Sequence, residues 1–244
     1  MIKKLYIMLF MALVVGVGAF FVGENDMPDN FRDSKALLTK VWKMSGFNKD
    51  FYCQAPFSIE SDSIHVLDSP AYTPRNAMTK KKKINKRAQI IEFEHIMPAH
   101  NFGRHLKCWR EGGRSACKKD AKFNKMEADL YNLVPAIGEI NGDRNNFRYA
   151  EPPRNLAYTQ YGACRVYSDF KGRRFYPAEY SRGLIARTYL YMSEKYDINL
   201  SDSERKLMQA WDKTYPPNDY EIERNAAIKK ALWLNKVNKI LAVF

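Results

Sequence analysis

Apolar residues recur at intervals of three and four in several stretches of the chain, a pattern typical of helices that bury one face. The first stretch carries Leu37, Leu38, Val41 and Trp42 and stops at Gly46, a residue type that commonly ends helices. The other predicted helices have their own markers: Pro135 at a first turn, apolar spacing from Arg182 to Tyr196, a capping box at Ser201 and Glu204, and a start after Pro217. Asp33 or Ser34 can cap the first helix.

Few stretches have the character of β-strands. The best is Ala88 to Phe93, which reads Ala-Gln-Ile-Ile-Glu-Phe, and residues 51–72 are strand-like but punctuated by prolines. No internal repeat and no linker is visible. The pattern therefore predicts an α+β fold, a mainly helical single domain around a small antiparallel sheet, with its core at about residues 34–232.

The N-terminus has the pattern of an export signal. Two lysines precede an apolar run from Leu5 to Val22, and Val17 and Ala19 satisfy the small-residue rule of a signal peptidase. We expect residues 1–19 to be a signal peptide cleaved near Ala19, leaving 20–244 as the mature domain. The run is also long enough to remain as an uncleaved membrane anchor.

The formal net charge of +13 favours a polyanionic partner, either nucleic acid or an anionic membrane, although a soluble basic protein without such a partner is the alternative. Residues 75–87 concentrate this charge, with seven basic residues and no acid. We interpret them as an arm that contacts phosphates, the alternative being a solvated loop. The residues predicted to bind nucleic acid are Lys80, Lys81, Lys82, Lys83, Arg87 and Arg104.

Four cysteines become candidates for disulfides if the chain is exported. Cys108 and Cys117 bracket a Gly-Gly pair as a local bridge would, which leaves Cys53 with Cys164. The alternative is a zinc site in which Cys108 and Cys117 join His100 and His105, although the spacing is not a CxxC pattern.

The best candidate for catalysis is the end of the predicted strand, where Glu94 directly precedes His95. A carboxylate can hold a hard cation, and a neutral imidazole can take a proton from water. These are the two parts that a metal-assisted phosphodiester hydrolase needs at minimum.

A second candidate segment follows about fifty residues later. Asn141 and Asn145 would share one face of the helix predicted after Pro135. Gly138 and Gly142 weaken that helix by roughly 1 kcal/mol each relative to alanine. Such glycines indicate either a close backbone approach or room for a ligand, although an Asn-rich helix end with its own capping bonds is an alternative.

Several ordered motifs resemble the bacterial endonuclease I family over about residues 51–230. They are Glu94-His-Ile-Met-Pro-Ala, Gly112-Gly-Arg114, Met126-Glu-Ala-Asp-Leu-Tyr-Asn-Leu, Gly138-Glu-Ile-Asn-Gly-Asp-Arg-Asn-Asn-Phe, Arg182-Gly-Leu-Ile-Ala-Arg-Thr-Tyr-Leu-Tyr-Met and Tyr220-Glu-Ile-Glu-Arg. The resemblance implies a ββα-metal (His-Me finger) motif and a periplasmic or secreted non-specific nuclease.

The resemblance also implies roles for individual residues. Glu94 and Asn141 would bind one Mg²⁺, a sparse set of oxygen ligands that suits this ion, and Ca²⁺ or Mn²⁺ could substitute in binding. His95 would act as the general base, and Arg114 would contact the scissile phosphate or the freed 5′-phosphate. Glu127 corresponds to an active-site carboxylate of the family.

One departure from the family concerns cysteine. Family members commonly have two further cysteines, which would pair with each other, where this chain has Ala55 and Pro70. A whole bridge is therefore missing, which supports Cys53–Cys164 and Cys108–Cys117 as the remaining pairs.

The predicted function is a periplasmic or secreted Mg²⁺-dependent endonuclease. It would bind DNA and RNA through the sugar-phosphate backbone with little sequence specificity and leave 5′-phosphate ends. We expect a monomer without a stable membrane anchor once the signal is cleaved. The alternative is a catalytically silent, basic nucleic-acid-binding or envelope-associated protein on the same scaffold.

Overall fold

The computed structural model describes residues 26–60 and 63–241, with side chains as far as 237. The predicted signal peptide lies outside these residues. Within them, no helix combines the length and the apolar character needed to cross a membrane.

The described residues form eight α-helices and seven short strands. The helices are α1 (Phe31–Ser45), α2 (Ala99–Gly103), α3 (Lys107–Cys117), α4 (Ala121–Glu127), α5 (Gly138–Arg144), α6 (Glu179–Tyr196), α7 (Asp202–Thr214) and α8 (Asp219–Leu241). The strands are β1 (Phe57–Glu60), β2 (Ser63–Val66), β3 (Ile91–His95), β4 (Leu133–Ile137), β5 (Arg148–Tyr149), β6 (Tyr167–Asp169) and β7 (Arg174–Tyr176). The predicted α+β class, with more helix than strand, is confirmed.

The ends of α1 show how local sequence sets a helix. The side chain of Asn30 accepts a hydrogen bond from the backbone N–H of Asp33, so the helix begins a few residues before the predicted cap. Gly46 ends it with a φ of 71°, in the left-handed region that glycine adopts at least cost. Leu38, Val41 and Trp42 are buried, as predicted.

Strands β3 and β4 pair antiparallel, with Glu94 opposite Val134 and His95 opposite Leu133. The predicted helical turn at Pro135 is wrong, because this proline lies inside β4 and the helix begins only at Gly138. The carbonyl of Pro135 accepts from the backbone N–H of Phe51 rather than from β3. In a strand, the nitrogen and the carbonyl of one residue point to the same side, so the nitrogen of Pro135 also points away from β3. The absence of an N–H at Pro135 therefore removes no hydrogen bond between β3 and β4.

The strands form three small sheets instead of the one that was predicted. Two are antiparallel pairs, β1–β2 and β3–β4, and the third has the order β5–β7–β6. In the third sheet β6 and β7 are antiparallel, whereas β5 and β7 run parallel.

Residues 99–127 contain three helices, α2, α3 and α4. Gly112 and Gly113 break the regular geometry within α3, and Gly113 has a φ of 64°. The disulfide Cys108–Cys117 joins the two parts of α3 across this break. The glycines therefore kink the helix rather than form an open loop.

The C-terminal helices agree with the sequence prediction. In α7 the hydroxyl of Ser201 accepts from the backbone N–H of Glu204, as expected of a capping residue. Helix α6 packs against α7, and α1 packs against α8. One cluster of buried apolar residues extends from Leu38 to Leu232.

Candidate active site

The candidate site is built where β3 ends and α5 begins to pack on it. Successive side chains of a strand point to opposite faces, so Glu92 and Glu94 share one face and His95 lies on the other. Helix α5 meets the glutamate face, where Asn141 contacts Glu92 and Arg144 contacts Glu94.

Glu94 is buried and both of its hydrogen bonds within the described residues end on one oxygen. The hydroxyl of Tyr52 donates to Oε1 over 3.0 Å and Nη1 of Arg144 donates to the same atom over 2.8 Å. Burial raises the pKa of Glu94, and the positive charge of Arg144 opposes that rise. Oε2 is left for a further ligand.

The loop before β1 presents Tyr52 to this carboxylate. The side chain of Asp50 accepts from the backbone N–H groups of Tyr52, Cys53 and Ala55, which fixes the turn of the loop. Cys53 is also held by its disulfide to Cys164. The Tyr52 hydroxyl shares a second hydrogen bond with that of Tyr149.

Arg144 is a fully buried cation that joins α5 to the end of β3. Besides Glu94, its guanidinium donates to the carbonyls of His95 and Ile96 over 3.0 and 2.7 Å. It also stacks on Tyr149, with its central carbon 4.5 Å from the ring centroid. The last residue of α5 therefore determines how this helix sits against the strand.

Asn141 is held by a neighbouring ion pair. Its Nδ2 donates to Glu92 over 2.9 Å, and Arg87 binds the same carboxylate through two nitrogens at 2.8 and 2.6 Å. A Cβ at Gly138 would lie 2.8 Å from Oε1 of Glu92, and one at Gly142 would lie 2.2 Å from Nη1 of Arg87. The close approach predicted for the two glycines is therefore confirmed.

His95 is buried on the other face of β3. Its Nε2 lies 2.9 Å from the carbonyl oxygen of Glu127, which ends α4 and so has no partner inside that helix. The rings of Phe31 and Phe102 lie 4.7 and 5.9 Å from the imidazole, centroid to centroid. Burial lowers the pKa of His95 to about 3, so the imidazole is neutral and its Nε2 donates to the carbonyl.

Arg114 follows the kink in α3 and reaches the same residue that holds His95. Its Nε donates to Oε1 of Glu127 over 2.6 Å, and about half of the arginine side chain is exposed. The guanidinium also lies over Phe31, at 5.6 Å from the ring centroid. Glu127 thus contacts His95 through its backbone and Arg114 through its carboxylate.

The basic segment 75–87 is less free than we expected. Arg75 binds Asp143 through two nitrogens, Arg87 binds Glu92, and the buried carboxylate of Glu139 accepts from the backbone of Arg75 and Asn76. The exposed charge lies in the turn between Met78 and Ile84, which contains Lys80, Lys81, Lys82 and Lys83. Arg104 is exposed just after α2, where its Nε contacts the ring of His105.

The predicted cysteine pairing is the one observed, Cys53 with Cys164 and Cys108 with Cys117. The alternative zinc site is wrong, because both of its cysteines are oxidised. No group of three or more His, Cys, Asp or Glu side chains is arranged to hold a metal ion within residues 26–60 and 63–241.

Several residues that contact the predicted site were not identified from the sequence, among them Phe31, Tyr52, Glu92, Phe102 and Arg144. Arg144 lies inside the motif that begins at Gly138 and resembles the endonuclease I family, and this motif was the available signal for it. Phe31 and Glu92 had no comparable local signal, because their contacts depend on chain segments far away.

The unit formed by β3, β4 and α5 brings together a buried neutral imidazole, a buried carboxylate and a fixed guanidinium. This set of groups is typical of a phosphodiester hydrolase. Comparison with known proteins agrees with this class. The chain belongs to the endonuclease I family, because the family model described as Endonuclease I matches residues 34–235. It is therefore a nuclease.

Individual relatives cover most of the chain. The sequence is 44% identical to a periplasmic deoxyribonuclease of Aeromonas hydrophila over 202 residues, 82% of this chain and 81% of the relative. It is 41% identical to an extracellular deoxyribonuclease of the same species over 224 residues, 91% of each chain. An endonuclease-1 of Buchnera aphidicola subsp. Acyrthosiphon pisum is 42% identical over 82% of this chain and 76% of its own.

Proposed function

We propose that this nuclease is an exported, Mg²⁺-dependent endonuclease that hydrolyses DNA and RNA with little sequence specificity and leaves 5′-phosphate ends. The observation that carries the proposal is the environment of His95. Its Nε2 is committed to the carbonyl of Glu127, so Nδ1 is the nitrogen that can accept a proton. Burial keeps the ring neutral, as a general base must be.

The donor set on the glutamate face of β3 fits a hard divalent cation. Glu94 offers Oε2, and Asn141 offers Oδ1 because its Nδ2 is bound to Glu92. Oxygen ligands in small number suit Mg²⁺, which retains several waters. When bound, the ion would supply positive charge to the phosphate and leaving oxygens.

Three protein side chains would bind the substrate, take a proton or hold the others in place. Arg114 is half exposed and held by Glu127, so its free guanidinium nitrogens can bind a phosphate oxygen. His95 would take a proton from the attacking water at Nδ1. Glu127 fixes both residues, which gives the carboxylate a positioning role.

The order of elements supports the ββα-metal motif. Two antiparallel strands, β3 and β4, are followed directly by α5. Glu94 and His95 lie at the end of the first strand and Asn141 lies on the helix. We propose that this unit is the motif that the sequence resemblance implies.

The substrate and the location follow from charge, chemistry and relatives. The names of two relatives specify deoxyribonucleases, one periplasmic and one extracellular. Two disulfides suit an oxidising compartment, as does the predicted signal peptide of residues 1–19. Exposed lysines such as Lys80–Lys83 would bind the backbone of DNA or RNA without reading bases, and we expect a monomer.

Supercoiled plasmid provides the test. We expect the wild-type protein with Mg²⁺ to nick and fragment it, and EDTA to stop the reaction. His95→Ala should lower the rate by about 10²–10⁴-fold while binding is retained. Equal plasmid survival in all three reactions would overturn the proposal and leave only a silent nucleic-acid-binding protein. End labelling of the products with polynucleotide kinase, with and without phosphatase, tests for 5′-phosphate.

A further inference from the structure

A cleft of about 290 Å³ lies next to the chain segments that follow β3 and α5. The residues that line it and matter here are His100, Arg104, Asn146, Phe147, Arg148 and Arg173. His100 and Arg104 lie in and just after α2, the helix that follows β3. Asn146 to Arg148 lie just after α5. The segments that follow β3 and α5 therefore form two walls of the cleft.

The cleft carries uncompensated positive charge. Arg104, Arg148 and Arg173 are exposed, and none of them forms an ion pair with a carboxylate of the described residues. Glu204 lies within electrostatic reach of Arg104 and Arg148, and its own burial raises its pKa. Asp169 accepts from the backbone N–H of Gly172, which also lines the cleft. Three guanidinium groups around one small space, none of them in a direct ion pair with an acid of the described residues, attract a polyanion.

The third wall is the turn between β6 and β7, which is fixed in place. Arg75 stacks on Phe170 of this turn, 4.9 Å from the ring centroid, while its guanidinium binds Asp143 of α5. Arg173 lies over Phe147, 5.8 Å from the ring centroid, and has a φ of 53°. Arg75 thus connects the turn to α5, and Arg173 connects it to Phe147 in the wall of the cleft.

The backbone conformation after α5 also shapes this cleft. Asn145 has a φ of 53°, which ends the helix and turns residues 146–148 outward. Asn145 therefore lies just beyond the helix, although its backbone N–H still donates to the carbonyl of Asn141 over 3.0 Å.

We propose that this cleft is an accessory subsite for the phosphodiester backbone of the substrate strand, beside the bond that is cleaved. The proposal rests on the proposed nuclease function and extends it to Arg148 and Arg173. Guanidinium groups match phosphate oxygens in pairs, and such contacts carry no base information. The subsite strengthens binding of long strands without adding sequence preference.

The test is nucleic-acid binding without metal, so it does not depend on cleavage. Fluorescence anisotropy of a labelled duplex oligonucleotide is measured in EDTA over a range of salt concentrations. The test variant is Arg148→Gln with Arg173→Asn, the Asn being chosen for the positive φ. The matched control is Lys229→Gln with Lys230→Gln, which removes the same charge from exposed positions on α8.

We expect the test variant to bind several-fold more weakly and its salt slope to fall by about 2, which corresponds to two lost phosphate contacts. The control should keep the wild-type slope. Equal affinities and slopes for the two double variants would overturn the subsite. Failure of the wild-type protein to cleave plasmid with Mg²⁺ would instead count against the proposed function, and the binding comparison would still decide the subsite.

Discussion

Arg144 donates to Oε1 of Glu94 over 2.8 Å, and both side chains are almost completely buried. The arginine ends α5, which carries Asn141, and the glutamate lies in β3. The two candidate metal ligands are therefore held relative to each other by a buried ion pair. In the apolar interior such a pair is costly to break from one side only.

Removal of the cation alone should be strongly destabilising. We expect Arg144→Met to lower the free energy of unfolding by about 3–5 kcal/mol, because Glu94 and two carbonyls lose their partner. Urea denaturation followed by circular dichroism measures this. Arg144→Met with Glu94→Leu should recover much of the stability, since no unpaired charge remains. Equal stability of the wild type and the single variant would show that the pair is not buried in solution.

The pH dependence of activity should reflect the burial of His95. Its pKa is lowered from the ordinary 6.5 to about 3, so the proton-accepting form persists as the pH falls through 6.5. At saturating Mg²⁺ we expect the acid limb of kcat/KM to lie well below pH 6.5. A limb that moves with the Mg²⁺ concentration belongs to Glu94, because protons and metal compete for that carboxylate. A limb fixed near pH 6.5 at every Mg²⁺ concentration would contradict the burial of His95.

The lowered pKa of His95 also predicts that the free energy of unfolding changes with pH. An unfolded chain protonates this histidine below about pH 6.5, whereas the folded protein does so only near pH 3. The unfolded state therefore binds more protons in this range, and the free energy of unfolding should fall as the pH is lowered through it. Unfolding curves of His95→Gln should lack this contribution. An unchanged slope in the variant would argue against it.

Gly142→Ala separates helix propensity from site geometry. Alanine favours a helix over glycine by roughly 1 kcal/mol, but its Cβ would lie 2.2 Å from Nη1 of Arg87. Arg87 can move, and in doing so it leaves Glu92, which orients Asn141. We expect a folded protein whose affinity for Mg²⁺, measured by isothermal titration calorimetry, is several-fold weaker. Glu92→Gln should give a similar loss, and wild-type affinity in both variants would exclude this role of the ion pair.

The two disulfides should differ in their contribution to stability. The loop-entropy model gives about 4.8 kcal/mol for Cys53–Cys164, with a separation of 111 residues, and about 2.6 kcal/mol for Cys108–Cys117, with a separation of 9. Alanine at both positions of the long bridge should therefore lower the melting temperature more than alanine at both positions of the short one. A larger effect of the short bridge would show that the α3 kink, not loop closure, dominates.

Local signals in the sequence predicted a good part of the fold. The end of α1 at Gly46, the helix through Tyr189 and the cap of α7 at Ser201 all depend on residues close together in the chain. The same holds for Glu94 and His95 at the end of a strand. Each of these features is determined within a few residues, so the pattern is sufficient.

Pairings between distant segments could not be predicted in this way. Pro135 has the sequence position of a helix start, and only its pairing opposite Phe93 places it in a strand. Arg144 appears as one of many arginines, although it is one of the few that are buried. Burial of a cation depends on a carboxylate fifty residues away, and no local periodicity records that contact.

Phe31 gives the first turn of α1 a part in the chemistry, since its ring touches His95 and lies beneath the guanidinium of Arg114. One side of the surroundings of His95 is thus supplied by the N-terminal end of the described residues. Proteolytic trimming after export, or a bulky tag fused close to this helix, would strip or distort that side. We therefore expect truncation into the first turn of α1 to lower the rate of plasmid cleavage.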